Sequence, residues 1–165
     1  MSAASRRPGP PPRVRVYVCT AVALALLLAP ASGWLGAAWR FEAWPEAMLL
    51  AALLAVAHRQ RVQIGLHRTI NVGTAPEVAA VLLLPGPLAV LALVAGTAAG
   101  ERRGPLIQRS FNIAAATLRA LAGLGAYVAL RHAGPTAISD PLATLAAPLA
   151  MYVGGTMLVL GVAAV

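Results

Sequence analysis

The sequence predicts an all-α protein, a polytopic transmembrane bundle of about six apolar helical segments. Of its 165 residues, 59% are hydrophobic and 11% are charged, and the mean hydropathy is +0.77. A water-soluble domain of this length could not cover so much apolar surface with polar groups. The 13 basic residues are all Arg, and nearly all of them lie in the gaps between apolar runs.

The arginines also predict the orientation of the chain, because most of them fall in every second gap. They group before and at the start of the first run (Arg6, Arg7, Arg13, Arg15), in the second gap (Arg59, Arg61, Arg68), and in the fourth gap and at the start of the run after it (Arg102, Arg103, Arg109). Cytoplasmic loops are enriched in Lys and Arg, so the N-terminus and these gaps are expected in the cytoplasm. The net charge is +8. We expect the arginines to contact the headgroups of the lipid bilayer, and we expect no nucleic-acid partner.

Residues 1–13 are rich in Pro and Arg and are expected to form a disordered leader, ahead of a transmembrane helical domain over residues 14–165. The first apolar run extends from Val14 to Leu28. A competing interpretation is a cleaved signal peptide over residues 1–31, because a basic region and a short apolar stretch precede small residues. The later alternation of the arginines favours retention of this run.

The second run, Trp44 to Ala57, begins with Pro45 and Glu46 and ends at His58-Arg59. A proline and an acid in the first turn, and basic residues in the last turn, are typical of a helix. Residues 62–73 are mixed and weakly amphipathic, which indicates an interfacial or an extended segment.

Residues 74–77 then have the form of a capping box, Thr-x-x-Glu, which predicts a helix from Ala75 to Leu84. The breaker Pro85-Gly86-Pro87 separates this helix from a second short one, Leu88 to Ala99. The broken pair at Ala75–Ala99 either crosses the membrane twice or forms a re-entrant hairpin, and the arginines do not distinguish these models.

The last two runs are long enough to span a bilayer. They are Leu106 to Leu130 and Pro141 to Val165, and Pro148 and Gly154-Gly155 are expected kink or close-packing points in the latter. Gly96 and Gly100 form a GxxxG motif, which predicts helix packing within one subunit or, as the alternative, a homodimer through transmembrane helices.

Arg119 is the candidate centre of an intramembrane polar site, because it lies in the middle of an apolar run with Asn112 on the same helix. A central Arg costs about 2.5–3.5 kcal/mol to insert, so it should face a partner or a cavity. Glu46, at the start of the second run, is expected on the far side of the membrane with Glu42 and Asp140, so Glu77 is the only acid left inside an apolar helical segment. A Glu77–Arg119 pair is therefore the hypothesis, and an anionic small ligand is a second use of the cation. The alternative is that Arg119 snorkels to the interface.

The sequence offers no constellation for catalysis, so we expect neither an enzyme nor a cofactor nor a metal site. The five acids form no credible acid–base pair, and Cys19 is the only cysteine. His58, His67 and His132 form no ligand set, and headgroup contact is expected for all three.

Three segments carry a resemblance to a known family. They are the LLLPGPLAVL of Leu82–Leu91, the RSFNIAAATL of Arg109–Leu118 with its Phe111-Asn112 pair, and the MYVGGTMLVL of Met151–Leu160. From about residue 44 onward the chain resembles the multi-helix membrane input domains found ahead of HD-type phosphohydrolase and GGDEF output domains in bacteria. It also resembles, more faintly, the five-helix sensors of LytS-type histidine kinases.

The resemblance implies a non-catalytic sensor or input module in the bacterial inner membrane, acting in signal transduction on a cytoplasmic output domain. Two other functions stay open. One is a small membrane transporter or substrate-binding subunit, because broken helices in transporters point their ends at the substrate. The other is a plain membrane anchor.

Overall fold

The computed structural model describes residues 11–33, 41–63, 69–71, 73–101, 105–133 and 136–164. Within these ranges the fold is helical, apart from one short pair of strands. The helices are α1 (Pro12–Leu28), α2 (Trp44–Arg59), α3 (Thr74–Leu83), α4 (Gly86–Gly100), α5 (Leu106–Arg131) and α6 (Thr136–Ala163), with 3₁₀ turns at Ala29–Gly33 and Phe41–Ala43. The leader falls outside the described residues up to position 10, and α1 then begins at Pro12, so residues 12 and 13 belong to the first helix.

The strands β1 (Arg61–Gln63) and β2 (Thr69–Asn71) follow α2 and pair in antiparallel register, with Val62 opposite Ile70. Of the two expectations for residues 62–73, the extended one therefore holds at the five strand positions that fall in this range, and β1 begins one residue earlier, at Arg61. The pair is too short to bury a face of its own and serves to join α2 to α3.

The predicted capping box is wrong. Helix α3 begins at Thr74 itself, Gly73 is its N-cap residue, and no side chain caps it. Because Thr74 is already helical, its hydroxyl does not occupy the capping position. The side chain of Glu77 is 4% exposed and turns into the bundle instead of back to the helix start.

The predicted break is present: α3 ends at Leu83, Pro85 is the N-cap residue of α4, and α4 begins at Gly86, so all four helix ends lie within two residues of the prediction. Pro87 occupies the first turn of α4, where a missing backbone N–H costs nothing. Gly86 and Pro87 are both buried, so the corner packs against protein.

Helix α5 is the centre of the fold and packs against α1, α4 and α6, while α2 packs mainly against α4. Leu54, Leu88 and Leu93 are fully buried in the main core. Helices α5 and α6 run antiparallel, because Arg119 lies against Gly155 and Gly123 lies against Met151.

Two helices in the described ranges are long and apolar enough to cross a membrane, Leu106–Arg131 and Ile138–Ala163. The other four have 10 to 17 residues. At about 1.5 Å per residue they reach about 15–26 Å, which is less than a hydrocarbon core of about 30 Å. The structure therefore supports the helical class and two candidate spans.

Candidate functional site: a buried ionic cluster

Glu77 and Arg119 form an ion pair between α3 and α5. An Nη2 hydrogen of Arg119 is donated to Oε1 of Glu77 over 2.9 Å. The side chain of Glu77 is 4% exposed and that of Arg119 is 29% exposed. The carboxylate is therefore the more deeply buried partner, and the guanidinium joins it to the outer part of the bundle.

His58 on α2 belongs to the same cluster. Its Nε2 lies 3.6 Å from Oε1 of Glu77 and 3.5 Å from Oγ1 of Thr97 on α4. His58 is 7% exposed and Thr97 is 1% exposed. The expectation that His58 contacts headgroups is therefore wrong, because the last turn of α2 is covered by α3 and α4.

The other two histidines lie elsewhere. His132 follows α5, is exposed, and its Nδ1 lies 2.8 Å from the carbonyl oxygen of Val128. His67 lies outside the described residues.

Helix ends bring these side chains together. His58 is in the last turn of α2, Thr97 is in the last turn of α4, and Glu77 is in the first turn of α3. A helix start favours an acid and a helix end favours a cation, so each ionisable group stands where the helix dipole suits it. Arg59 adds to this arrangement, because its Nη2 donates to the carbonyl oxygen of Ala99 over 3.3 Å.

Gly96 and Gly100 allow α2 and α4 to approach closely enough to place His58 beside Thr97. A Cβ atom on Gly96 would lie 2.7 Å from the carbonyl oxygen of Ala51, and one on Gly100 would lie 2.5 Å from Cβ of His58. The GxxxG motif of α4 thus packs against α2 of the same chain.

Gly155 gives the Arg119 side chain its path across α6. A Cβ atom on Gly155 would lie 2.7 Å from Cδ of Arg119. Gly154, beside it, has a looser contact of 3.7 Å to Cβ of Ala122. The Nε atom of Arg119 is buried and makes no hydrogen bond within the described ranges.

Asn112 is not part of the cluster. It is half-buried two turns before Arg119, about 10 Å away along α5. Thr117, nearer to Arg119, donates its hydroxyl to the carbonyl oxygen of Ile113 over 2.9 Å. The polar site therefore consists of His58, Glu77, Thr97 and Arg119.

Sequence reasoning missed His58 and Thr97. A signal for both is present in the spacing of small residues. Ala51 and Ala55 are four residues apart on α2, His58 follows on the same face, and Gly96 and Gly100 repeat the spacing on α4 around Thr97. Two matching small-xxx-small stripes predict close packing and bring the polar residues beside them into contact.

The chemistry open to the cluster is that of charge and protons. Among the described residues, no group of three or more His, Cys, Asp and Glu side chains could hold a metal ion. Cys19 is exposed on α1. One carboxylate facing a guanidinium and an imidazole can change its hydrogen bonds when the imidazole gains or loses a proton.

The fold and this cluster define a helical protein with two candidate membrane spans and a buried polar centre. No protein-family model matches the chain, and no curated protein or solved structure matches it.

Proposed function

We propose that this chain is a non-catalytic integral membrane sensor in the bacterial inner membrane, an input module that regulates or localises a cytoplasmic signalling output domain. The observation that carries the proposal is the Glu77–Arg119 ion pair. It joins α3 to α5, and through the contact of Arg119 with Gly155 it also reaches α6. A change at the cluster can thereby alter the position of the last helix.

The surface of α6 supports a lipid environment. Only 11% of its candidate span is buried, whereas the core helix of a water-soluble domain is mostly buried. Its exposed face carries large apolar side chains, among them Leu142, Leu145, Leu149, Val153 and Met157. A continuous exposed apolar face of this kind is typical of contact with lipid or with another chain.

The buried corner between α3 and α4 favours a re-entrant pair over a double crossing. Backbone that turns within the hydrocarbon must be shielded by protein or by a water-filled cavity. Gly86 and Pro87 are buried by the bundle, which satisfies that requirement. The short lengths of α3 and α4 agree with a segment that enters and returns.

A transporter or substrate-binding subunit is the second candidate, and it rests on Arg119. The buried Nε atom of Arg119 makes no hydrogen bond in the described part of the chain, so an anionic small ligand could accept one. Against this, the charge of Arg119 is already matched by Glu77 at 2.9 Å. We therefore rank the sensor first and the plain anchor last.

The test is a fusion of the whole chain to a cytoplasmic diguanylate cyclase domain, with product formation measured at matched levels of membrane-inserted protein. Arg119→Leu should change the output, because it releases α5 and α6 from Glu77. Arg131→Leu is the matched control on the same helix and should leave the output unchanged. Equal output from the wild type, both variants and an unrelated anchor would contradict the sensor and support the plain anchor. Arg119-dependent uptake of an anion by vesicles would support the transporter.

A further inference from the structure

We propose that the cluster of His58, Glu77, Thr97 and Arg119 is a proton-binding site, and that protonation of His58 is the signal the bundle transmits. The inference rests on the proposed sensor function and specifies its input. It starts from the position of one atom: Nε2 of His58 lies between Thr97 Oγ1 at 3.5 Å and Glu77 Oε1 at 3.6 Å.

The two neighbours of Nε2 require opposite protonation states. Without a proton, Nε2 is an acceptor, and of these two neighbours the Thr97 hydroxyl is the one that can donate to it. With a proton, Nε2 is a donor, and the Glu77 carboxylate is the acceptor that also matches the new charge. A proton taken from water forms the Nε2–H bond, no bond within the protein breaks, and the net charge of the cluster rises by one.

Both distances are longer than a good hydrogen bond, which is about 2.7–3.2 Å for nitrogen and oxygen. Either state therefore gains by a small movement of His58 toward one neighbour. Helices α2 and α4 are held together at Gly96 and Gly100, so the Thr97 side of the site is the rigid side. The Glu77 side is the one that moves on protonation.

Arg119 carries that movement outward. It donates to the same oxygen, Oε1 of Glu77, that faces His58. A protonated His58 competes for this oxygen and draws Glu77 toward α2, which changes the position or hydrogen bonding of Arg119. Because the Arg119 side chain crosses α6 at Gly155, the change reaches the last helix.

Among the described residues, the charged groups near His58 come from several helices. Glu77 on α3 faces it, Arg119 on α5 donates to the same oxygen of Glu77, and Thr97 of α4 is uncharged. Arg59 follows His58 on α2 and donates a hydrogen bond to the carbonyl oxygen of Ala99. Glu101 is a buried acid directly after α4. The cluster is partly accessible from outside the bundle, because the side chain of Arg119 is 29% exposed.

The experiment is NMR of the full chain in lipid nanodiscs, with ¹⁵N label in the histidine rings and the arginine side chains, between about pH 8 and about pH 5. His58 should change from one ring N–H to two, and the side-chain signals of Arg119 should shift in step with it. His58→Gln should abolish the Arg119 shift. His132→Gln is the matched control at an exposed site and should leave it intact.

Thr97→Val tests the proposal without altering any charge. It removes the hydroxyl that favours the unprotonated ring, so the ratio of protonated to unprotonated His58 should rise about two- to tenfold at each pH. This variant also keeps the test decisive if His58→Gln fails to fold.

Two results would overturn the proposal: a His58 ring that keeps a single N–H over the whole range, or a titrating His58 with unmoved Arg119 signals. The measurement needs no output domain, so its failure is distinct from that of the sensor function. An unresponsive His58 together with an Arg119-dependent output would retain the sensor and exclude the proton as its signal.

Discussion

Replacement of Arg119 by Leu leaves the buried carboxylate of Glu77 without its strongest partner. Removing one member of a buried ion pair costs about 3–5 kcal/mol in water-soluble proteins. An average interhelical hydrogen bond in a membrane protein contributes only about 0.6 kcal/mol. The Glu77 side chain is 4% exposed, so the value for a buried ion pair applies. His58, whose Nε2 lies 3.6 Å from Oε1 of Glu77, partly offsets the loss of Arg119. We expect Arg119→Leu to lower the free energy of unfolding by about 3 kcal/mol.

The assay is equilibrium unfolding of the detergent-solubilised chain, followed by far-ultraviolet circular dichroism. Arg131→Leu is the matched control, because it makes the same change on the same helix. Nε of Arg131 lies 3.4 Å from Oδ1 of Asp140, and the two side chains are 53% and 45% exposed. A pair this exposed contributes about 0–1 kcal/mol, so the control should remain close to the wild type.

A double variant separates the ion pair from simple packing loss. With Glu77→Leu and Arg119→Leu together, neither charge of the ion pair is left without its partner, and stability should return to within about 1 kcal/mol of the wild type. The reasoning is refuted if Arg119→Leu costs no more than Arg131→Leu, or if the double variant is less stable than the single one.

Two glycine substitutions test the packing around the cluster by the same unfolding assay. Gly155→Ala places a Cβ atom 2.7 Å from Cδ of Arg119 and should cost about 1–3 kcal/mol, whereas Gly154→Ala, with nothing closer than 3.7 Å, should be neutral or stabilising by up to about 1 kcal/mol. Equal effects of the two would contradict the assigned path of the Arg119 side chain. Gly100→Ala places a Cβ atom 2.5 Å from Cβ of His58 and should also cost about 1–3 kcal/mol, and an unchanged midpoint would show that α2 and α4 are not in close contact there.

The sequence is sufficient for three of the helices and for one long-range contact. Apolar runs and proline breaks predict both ends of α3, α4 and α5 to within two residues, because these signals are local. The partners Glu77 and Arg119 are 42 residues apart, and they were matched because an apolar segment offers few other ionisable groups. Scarcity of charge therefore carries information about contacts in such a chain.

The sequence was not sufficient where tertiary packing decides. His58 lies in the last turn of a helix beside an Arg, which is a usual position for a residue at an interface, and the packing of α3 and α4 on that turn buries it. The capping box at Thr74 failed for a related reason, since Glu77 is drawn into the bundle by partners on other helices. A local sequence pattern does not contain these contacts with other helices, so it predicts the helix cap instead.

The length of α6 was also underestimated. The run was expected to begin at Pro141, but the helix begins at Thr136 and contains both Pro141 and Pro148. A proline inside a helix removes one backbone hydrogen bond, and the sequence therefore favoured a later start. Helix α6 nevertheless continues through both prolines while it packs against α5.

Labelling of cysteines in intact cells tests the central claim, which is that the chain lies in a membrane with its arginine-rich gaps in the cytoplasm. Cys19 is the only cysteine, so a Cys19→Ser background gives a clean start for Gly104→Cys and Gly134→Cys. A membrane-impermeant maleimide should label position 134 in intact cells and position 104 only after permeabilisation. Labelling of position 104 from outside, or recovery of the chain as a soluble protein in detergent-free buffer, would contradict the account.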